Sequence, residues 1–155
     1  MHIDHTTQRR FYFPGSEEFR VRDHFAVGFD PVHIAYLGEN FRHALLDLVV
    51  PPEPAGFFST RNLTERLTGP QIVERFGSSC HVTLPVVWHL LREHESGLPG
   101  ALLTTGQTNI LIHPGVDYTI GIFWFRGGWS IRAYPFQSEK QRAWFAGNQV
   151  LVRSV

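Results

Sequence analysis

Two runs of alternating apolar residues flank a pair of glycines, and they constrain this chain more than any other segment does. The runs cover residues 118–126 and 129–136, and Gly127-Gly128 lies between them. Alternation places successive side chains on opposite faces of a strand, and glycine accepts the positive φ angles of a two-residue hairpin turn. The segment therefore predicts an antiparallel β-hairpin.

A turn at Gly127-Gly128 determines which side chains share a face of this hairpin. It places Trp124 opposite Ile131 and Ile122 opposite Ala133. This face is apolar, and we expect it to pack against helices because a sheet must bury its apolar side.

The second face of the hairpin is mixed in character. Its cross-strand pairs are Phe125 with Ser130, Phe123 with Arg132, and Gly121 with Tyr134. We expect Arg132 to lie over Phe123 in a cation–π contact. Aromatic rings beside a cation are typical of binding surfaces, so the candidate residues for ligand or partner binding are Phe123, Phe125, Arg132 and Tyr134.

Three explanations of the second face remain open. Another segment of the same chain could cover it, such as residues 19–27 or a short helix at 138–146. A second copy of the chain could cover it, since large exposed apolar patches mark interaction sites. A ligand could also bind there, as apolar pockets with a few polar groups do.

The rest of the chain predicts an α+β domain. The helices are expected mainly in the N-terminal half, packed on a C-terminal antiparallel β-meander of about four strands, within a single domain over 1–155. Residues 1–16 are expected to be flexible, and 51–60, which contain three prolines, to form a loop. Asn40 is the expected N-cap of the first helix. The helices are predicted at 41–49, 70–76, 84–95 and 138–145. Outside the hairpin, strands are predicted at 19–27 and 149–153, and 101–114 fits either two strands or one bent strand. Residues 31–37 fit either a helix start or a strand.

Composition narrows the class of protein. Hydrophobic residues make up 43% and charged residues 18%, which suits a globular chain with its own core. No apolar run approaches the roughly 20 residues that a membrane span needs. The chain has one cysteine and no recognisable signal peptide, so we expect a cytoplasmic protein without membrane contact. Formal net charge is zero, so we do not expect nucleic acid as a partner.

The charge is nevertheless unevenly placed along the chain. Residues 1–95 carry nine Arg against twelve Asp and Glu, a balance of −3, and residues 96–155 carry the opposite balance of +3. Either the two parts attract each other within one fold, or the second part presents a basic binding face.

Motifs that carry chemistry are absent from the sequence. The nine histidines do not follow a zinc-ligand spacing, so no metal site is expected. Cys80-His81 could suggest a thiol nucleophile, but a lone cysteine is more often a small buried apolar residue. There is no Gly-x-Ser-x-Gly, P-loop or Gly-x-Gly-x-x-Gly pattern, and no cofactor is expected.

Three stretches of the second half resemble a pattern in small uncharacterised bacterial proteins, often products of mobile gene cassettes carried by integrons. They are GALLTTGQTNI from Gly100, GW-x-I-x-A from Gly128, and W-x-x-G-x-x-V-x-x-R-S from Trp144. The matching order extends upstream through Leu37-Gly38-x-Asn40-Phe41-Arg42, so the resemblance spans residues 32–154. It implies no activity, cofactor or catalytic residue.

Two hypotheses of function follow from the sequence. The first is a non-enzymatic binding or interaction protein that uses the aromatic and arginine face, either as a homo-oligomer or with a small-molecule ligand of apolar or cationic character. The alternative is a small enzyme, a hydrolase or transferase, with its site between helix 84–95 and the sheet.

Overall fold

The backbone is organised around one large β-sheet. A computed structural model describes residues 9–94, 100–137 and 143–154. The helices are α1 (Glu39–Ala44), α2 (Gly69–Phe76) and α3 (Leu84–Glu93). The strands are β1 (Arg10–Phe13), β2 (Phe19–Arg20), β3 (Ile34–Leu37), β4 (Val49–Val50), β5 (Gly56–Asn62), β6 (Leu67–Thr68), β7 (Asn109–Ile112), β8 (Tyr118–Phe125), β9 (Gly128–Pro135), β10 (Ala143–Trp144) and β11 (Gln149–Arg153).

Seven strands form the main sheet, in the order β1-β5-β11-β7-β8-β9-β3. The pairs β11–β7 and β3–β9 are parallel, and the other neighbours are antiparallel. The predicted fold, helices of the N-terminal half on a four-stranded C-terminal meander, is therefore wrong. Strands β1, β3 and β5 come from the N-terminal half and lie in the same sheet.

Strand β5 explains part of that error. Its inner positions include Ser59 and Thr60, which are polar and yet buried. The segment lacks an apolar alternation and directly follows the prolines of 51–54, so its sequence predicts a loop. The partners β1 and β11 on either side supply its backbone hydrogen bonds and make it a strand.

The hairpin β8–β9 forms as predicted, but its turn lies one residue earlier. Arg126 and Gly127 occupy the turn with φ angles of +50° and +80°. Trp124 consequently pairs with Trp129 rather than with Ile131. Moving the turn by one residue shifts every cross-strand partner by two, so the predicted division into two faces is kept.

Gly128 is needed for packing instead of for the turn. A Cβ there would lie 2.6 Å from the Cβ of Ala35 on β3. Its lack of a side chain therefore lets β3 approach and pair with β9, which a turn-based interpretation of the two glycines does not anticipate.

Helix α2 matches the prediction because its start has a local signal. The Thr68 hydroxyl accepts from the backbone N–H of Gln71 at 3.3 Å, and the Gln71 side chain accepts from the N–H of Thr68 at 2.9 Å. This is a reciprocal capping box. Helix α3 likewise follows Thr83 and ends two residues before the predicted boundary.

Other predicted elements differ from those observed. Gly38, not Asn40, is the N-cap of α1, and the side chain of Asn40 instead donates to the carbonyl of Ala133 at 3.2 Å. Residues 10–13, expected to be flexible, form β1 at a sheet edge, and the predicted strand 19–27 is reduced to β2 followed by a 3₁₀ turn at Val21–Asp23. Of the predicted helix 138–145, residues 143–144 form β10, and 138–142 lie outside the described residues.

The sheet is buried on both faces. One face packs on α1, α3 and the 3₁₀ turn in a first core, as predicted for the apolar side of the hairpin. The other face packs on α2 and the β6–β10 pair in a second core that includes Ile72, Cys80 and Trp144. Neighbouring side chains of β7 and β11 point alternately into the two cores. No helix in the described part of the chain has both the length and the apolar character needed to cross a membrane.

Candidate functional site

An arginine held between two aromatic rings lies on the outer part of the second face. The Cζ atom of Arg132 is 5.0 Å from the ring centre of Tyr36 and 5.6 Å from that of Phe123. Both distances are within the cation–π range. We call Tyr36, Phe123 and Arg132 the aromatic–arginine cluster; it includes the contact between Arg132 and Phe123 that the sequence predicts.

A small cleft of about 250 Å³ lies beside this cluster. Its lining includes Phe123, Arg132 and Tyr134, which are three of the four predicted binding residues. Phe125 does not line it. That ring lies at the hairpin end, 53% exposed, with the Cζ atom of Arg126 at 5.1 Å.

The inner end of the cleft is closed by the same chain. A Cβ on Gly121 would lie 3.0 Å from both the Thr108 methyl and the Trp144 ring. Trp144 therefore covers the backbone of Gly121. The Tyr134 ring packs edge-on against Trp144 at 5.2 Å between centres. Residues of the same chain thus cover the inner half of the hairpin's second face, and the aromatic–arginine cluster forms its outer half.

Tyr36 is the cluster residue that sequence reasoning missed. It lies on β3, in the segment 31–37 that fits either a helix start or a strand. The alternation of Val32, Ile34 and Tyr36 was the available signal. Tyr36 lies beside Arg132 only because β3 pairs in parallel with β9. The two strands are far apart along the chain, and sequence spacing does not reveal such a pairing.

A buried amide pair fixes the loop that forms the opposite wall of the cleft. Asn109 is fully buried; its Nδ2 donates to the carbonyls of Ile122 (3.0 Å) and Leu103 (3.2 Å). Its Oδ1 accepts from the N–H of Leu103 at 2.8 Å and from Nε2 of Gln149 at 2.6 Å. Gln149 also donates to the carbonyl of Ala101 at 2.8 Å. The loop before β7 is therefore held to the sheet by side chains, and the cleft is preformed.

No family model, curated protein or solved structure matches this chain. The resemblance to integron cassette products stays a prediction, and the site has to be interpreted from its own geometry.

A second group of titratable side chains lies near the start of α3. Glu53 is 7% exposed; its Oε1 accepts from Nη2 of Arg153 at 2.5 Å and from the hydroxyl of Thr83 at 3.1 Å. Arg153 also donates through Nε to the carbonyl of His81 at 3.0 Å. The carboxylate is thus neutralised and hydrogen-bonded, as a buried charge must be.

His113 belongs to the same region and is held neutral. Burial lowers the pKa of its imidazole, and this outweighs the opposing effects of its bond to the Pro114 carbonyl and of the nearby Glu53 carboxylate. Nδ1 donates to that carbonyl at 2.9 Å, and Nε2 is buried without a hydrogen-bond partner in the described structure. A ring nitrogen sealed in this way cannot reach a bound substrate.

Cys80 lies in the second core and does not form a nucleophile with His81. Burial raises the pKa of its thiol to about 11, so the thiolate is scarce at neutral pH. The thiol donates to the carbonyl of Gly77 at 3.1 Å. Within the described ranges, no three His, Cys, Asp or Glu side chains come together as a metal site.

Proposed function

We propose that this protein is a binding protein whose cleft takes a small planar anion, such as an aromatic carboxylate. One observation carries the proposal: Arg132 is held between Tyr36 and Phe123 and forms none of the ion pairs found among the described residues. Its guanidinium is therefore oriented by aromatic contacts while its N–H donors remain available.

The chemistry of the cleft favours an anion with one ring. A guanidinium donates two parallel hydrogen bonds to a carboxylate, and Phe123 and Tyr134 offer ring contacts beside it. The volume of about 250 Å³ is smaller than a drug-sized pocket, which suits a single-ring molecule. Arginine in this position repels cations, so the anionic class replaces the apolar or cationic ligand expected from sequence.

Replacing Arg132 tests the proposal. We expect benzoate, cinnamate or phenylacetate to bind the wild-type protein, and Arg132→Gln to weaken that binding about tenfold, because a charge-assisted bidentate contact is lost. Isothermal titration calorimetry measures the affinity, and amide NMR shifts of residues 121–123 and 132–134 locate it.

Arg92→Gln is the matched control, because Arg92 is also an exposed arginine but lies on α3, away from the cleft. It should bind the three carboxylates like the wild type. The proposal fails if none of them binds the folded protein, or if both variants lose affinity equally.

Self-association is the second candidate function, and it is supported at the β3 edge of the sheet. Phe29 is 82% exposed and stacks on His33 at 4.4 Å, and Val27 is 63% exposed. Among the described strands, β3 is an outermost one, and on its outer side the backbone of Ile34 is already bonded to Gly28. An outer strand beside exposed apolar side chains is a template for pairing with a second copy.

The enzyme alternative, a hydrolase or transferase site between residues 84–95 and the sheet, has weaker support. Titratable groups do converge near the start of α3, but Glu53 is already paired with Arg153 and His113 Nε2 is sealed. Neither can act as a general base on a bound molecule in this conformation. A cytoplasmic location remains part of the proposal, on the ground that the single cysteine is a buried free thiol.

A further inference from the structure

A larger cleft of about 510 Å³ lies at the opposite end of the second face. It is formed between the strands β1, β5 and β11 and the end of α2. Four arginines line it, namely Arg10, Arg61, Arg75 and Arg153, and no aspartate or glutamate does. Such a concentration of one charge is notable in a chain whose formal net charge is zero.

The register of the sheet brings two of these arginines together. Arg10 pairs with Ser59, and Arg61 lies two residues further along β5 on the same face. Diagonal neighbours of this kind are about 7–8 Å apart between Cα atoms, close enough for like charges to repel. Arg75 enters from the last turn of α2.

Only part of this charge is neutralised. Arg153 pairs with Glu53, and Arg75 pairs with Glu65. Arg10 and Arg61 take part in none of the ion pairs within the described residues. The Arg10 guanidinium instead lies 4.2 Å over the ring of Phe57. Arg10 and Arg61 therefore leave the lining of the cleft with a net positive charge.

Hydroxyls and rings complete the site. Ser59 and Ser79 line the cleft together with the arginines. Directly beside it, on the same face as Arg10, the rings of Tyr12 and Phe57 lie 5.2 Å apart and are about half exposed. Guanidiniums and hydroxyls bind phosphate oxygens, and exposed rings stack on a base.

We propose that this cleft binds the phosphate group of a small phosphorylated ligand of nucleotide size, with the ligand's ring on Tyr12 and Phe57. Bare phosphate would fill only a fraction of about 510 Å³, whereas a nucleoside monophosphate uses both the cationic and the aromatic parts. The site is separate from the aromatic–arginine cluster and does not depend on its function.

Calorimetric titration with AMP, GMP, CMP and UMP, with adenosine as the uncharged comparison, tests this site. We expect at least one monophosphate to bind and adenosine to bind at least about tenfold more weakly, because charge-assisted bonds supply most of the affinity. Arg61→Gln and Arg10→Gln should each weaken monophosphate binding about tenfold.

Arg92→Gln is the control, since it removes an exposed arginine from α3, which packs on the other face of the sheet. It should bind the monophosphates like the wild type. Arg132→Gln should also bind them like the wild type, so a failure of the monophosphate proposal can be distinguished from a failure of the carboxylate proposal. The proposal is overturned if no monophosphate binds, if Arg92→Gln loses as much affinity as Arg61→Gln, or if only a single-stranded oligonucleotide binds. That last outcome would make the cleft a nucleic-acid surface.

Discussion

Asn109 shows how one polar side chain can hold a loop against a sheet. All of its hydrogen-bonding groups have partners, and those partners belong to the loop before β7, to β8 and to β11. A buried amide that is fully bonded stabilises its surroundings and, once removed, leaves several groups unsatisfied. The wall of the cleft therefore depends on a residue that no ligand would touch.

Replacing Asn109 by leucine should lower the free energy of unfolding by about 3 kcal/mol. The two side chains have the same branched shape, but leucine leaves the backbone N–H and carbonyl of Leu103 without their partner and removes one of the two hydrogen bonds of the Gln149 amide. Urea denaturation followed by circular dichroism measures the change. Gln107→Leu, which removes an exposed amide from the same loop, should stay within about 0.5 kcal/mol of the wild type. An equal loss in both variants would contradict this role of Asn109.

At the scale of elements, the sequence predicts those helices and strands whose signals lie within the segment itself. The capping box at Thr68 and the Thr83 boundary located α2 and α3, because a cap involves neighbours a few residues apart. The alternation of residues 118–136 predicted the hairpin and its two faces. Strand β5 was missed because Ser59 and Thr60 are buried for a reason outside their own segment, namely the strands on either side.

The packing of β10 on the sheet is also an element-scale property, and Gly121 tests it. Gly121→Ala should destabilise the protein by about 1–2 kcal/mol, since the new Cβ would meet Thr108 and the Trp144 ring at 3.0 Å. Thermal unfolding by calorimetry gives the difference. Gly28→Ala is the matched control, because a Cβ there meets nothing within 4 Å. If the two alanine variants unfold at the same temperature, Trp144 does not pack on Gly121 as described.

At the scale of the whole molecule, the sequence predicts contacts within one hairpin but not contacts between segments that are far apart along the chain. Phe123, Arg132 and Tyr134 line one cleft because they lie on one hairpin, where a turn fixes the register. Tyr36 was not grouped with them, and neither were Arg10, Arg61 and Arg75 with one another. These contacts depend on the order of the strands in the sheet. Pairing between distant strands produces no periodic pattern in the sequence, so it cannot be predicted from spacing. The charge balance along the chain did not locate the arginine-lined cleft either, since Arg10, Arg61 and Arg75 all come from the half with net negative charge.

Self-association is tested at this scale by measuring mass in solution. We expect light scattering after size exclusion to give twice the 17.7 kDa of the chain, and Phe29→Glu to give the single-chain mass because a charge at the β3 edge disfavours pairing. Phe145→Glu changes a ring that is 61% exposed on another part of the surface and should remain a dimer. A wild-type protein that stays at the single-chain mass at about millimolar concentration would rule this candidate out.

The position of β11 has a consequence for how the protein is made. This strand pairs with β5 on one side and β7 on the other, yet it follows both of them along the chain. A ribosome adds about 5–20 residues per second, so the nascent chain spends several seconds with both inner edges unpaired. Open strand edges are where nascent chains join one another. Slower synthesis of residues 113–149 should therefore lengthen the time in which nascent chains can associate through these two edges.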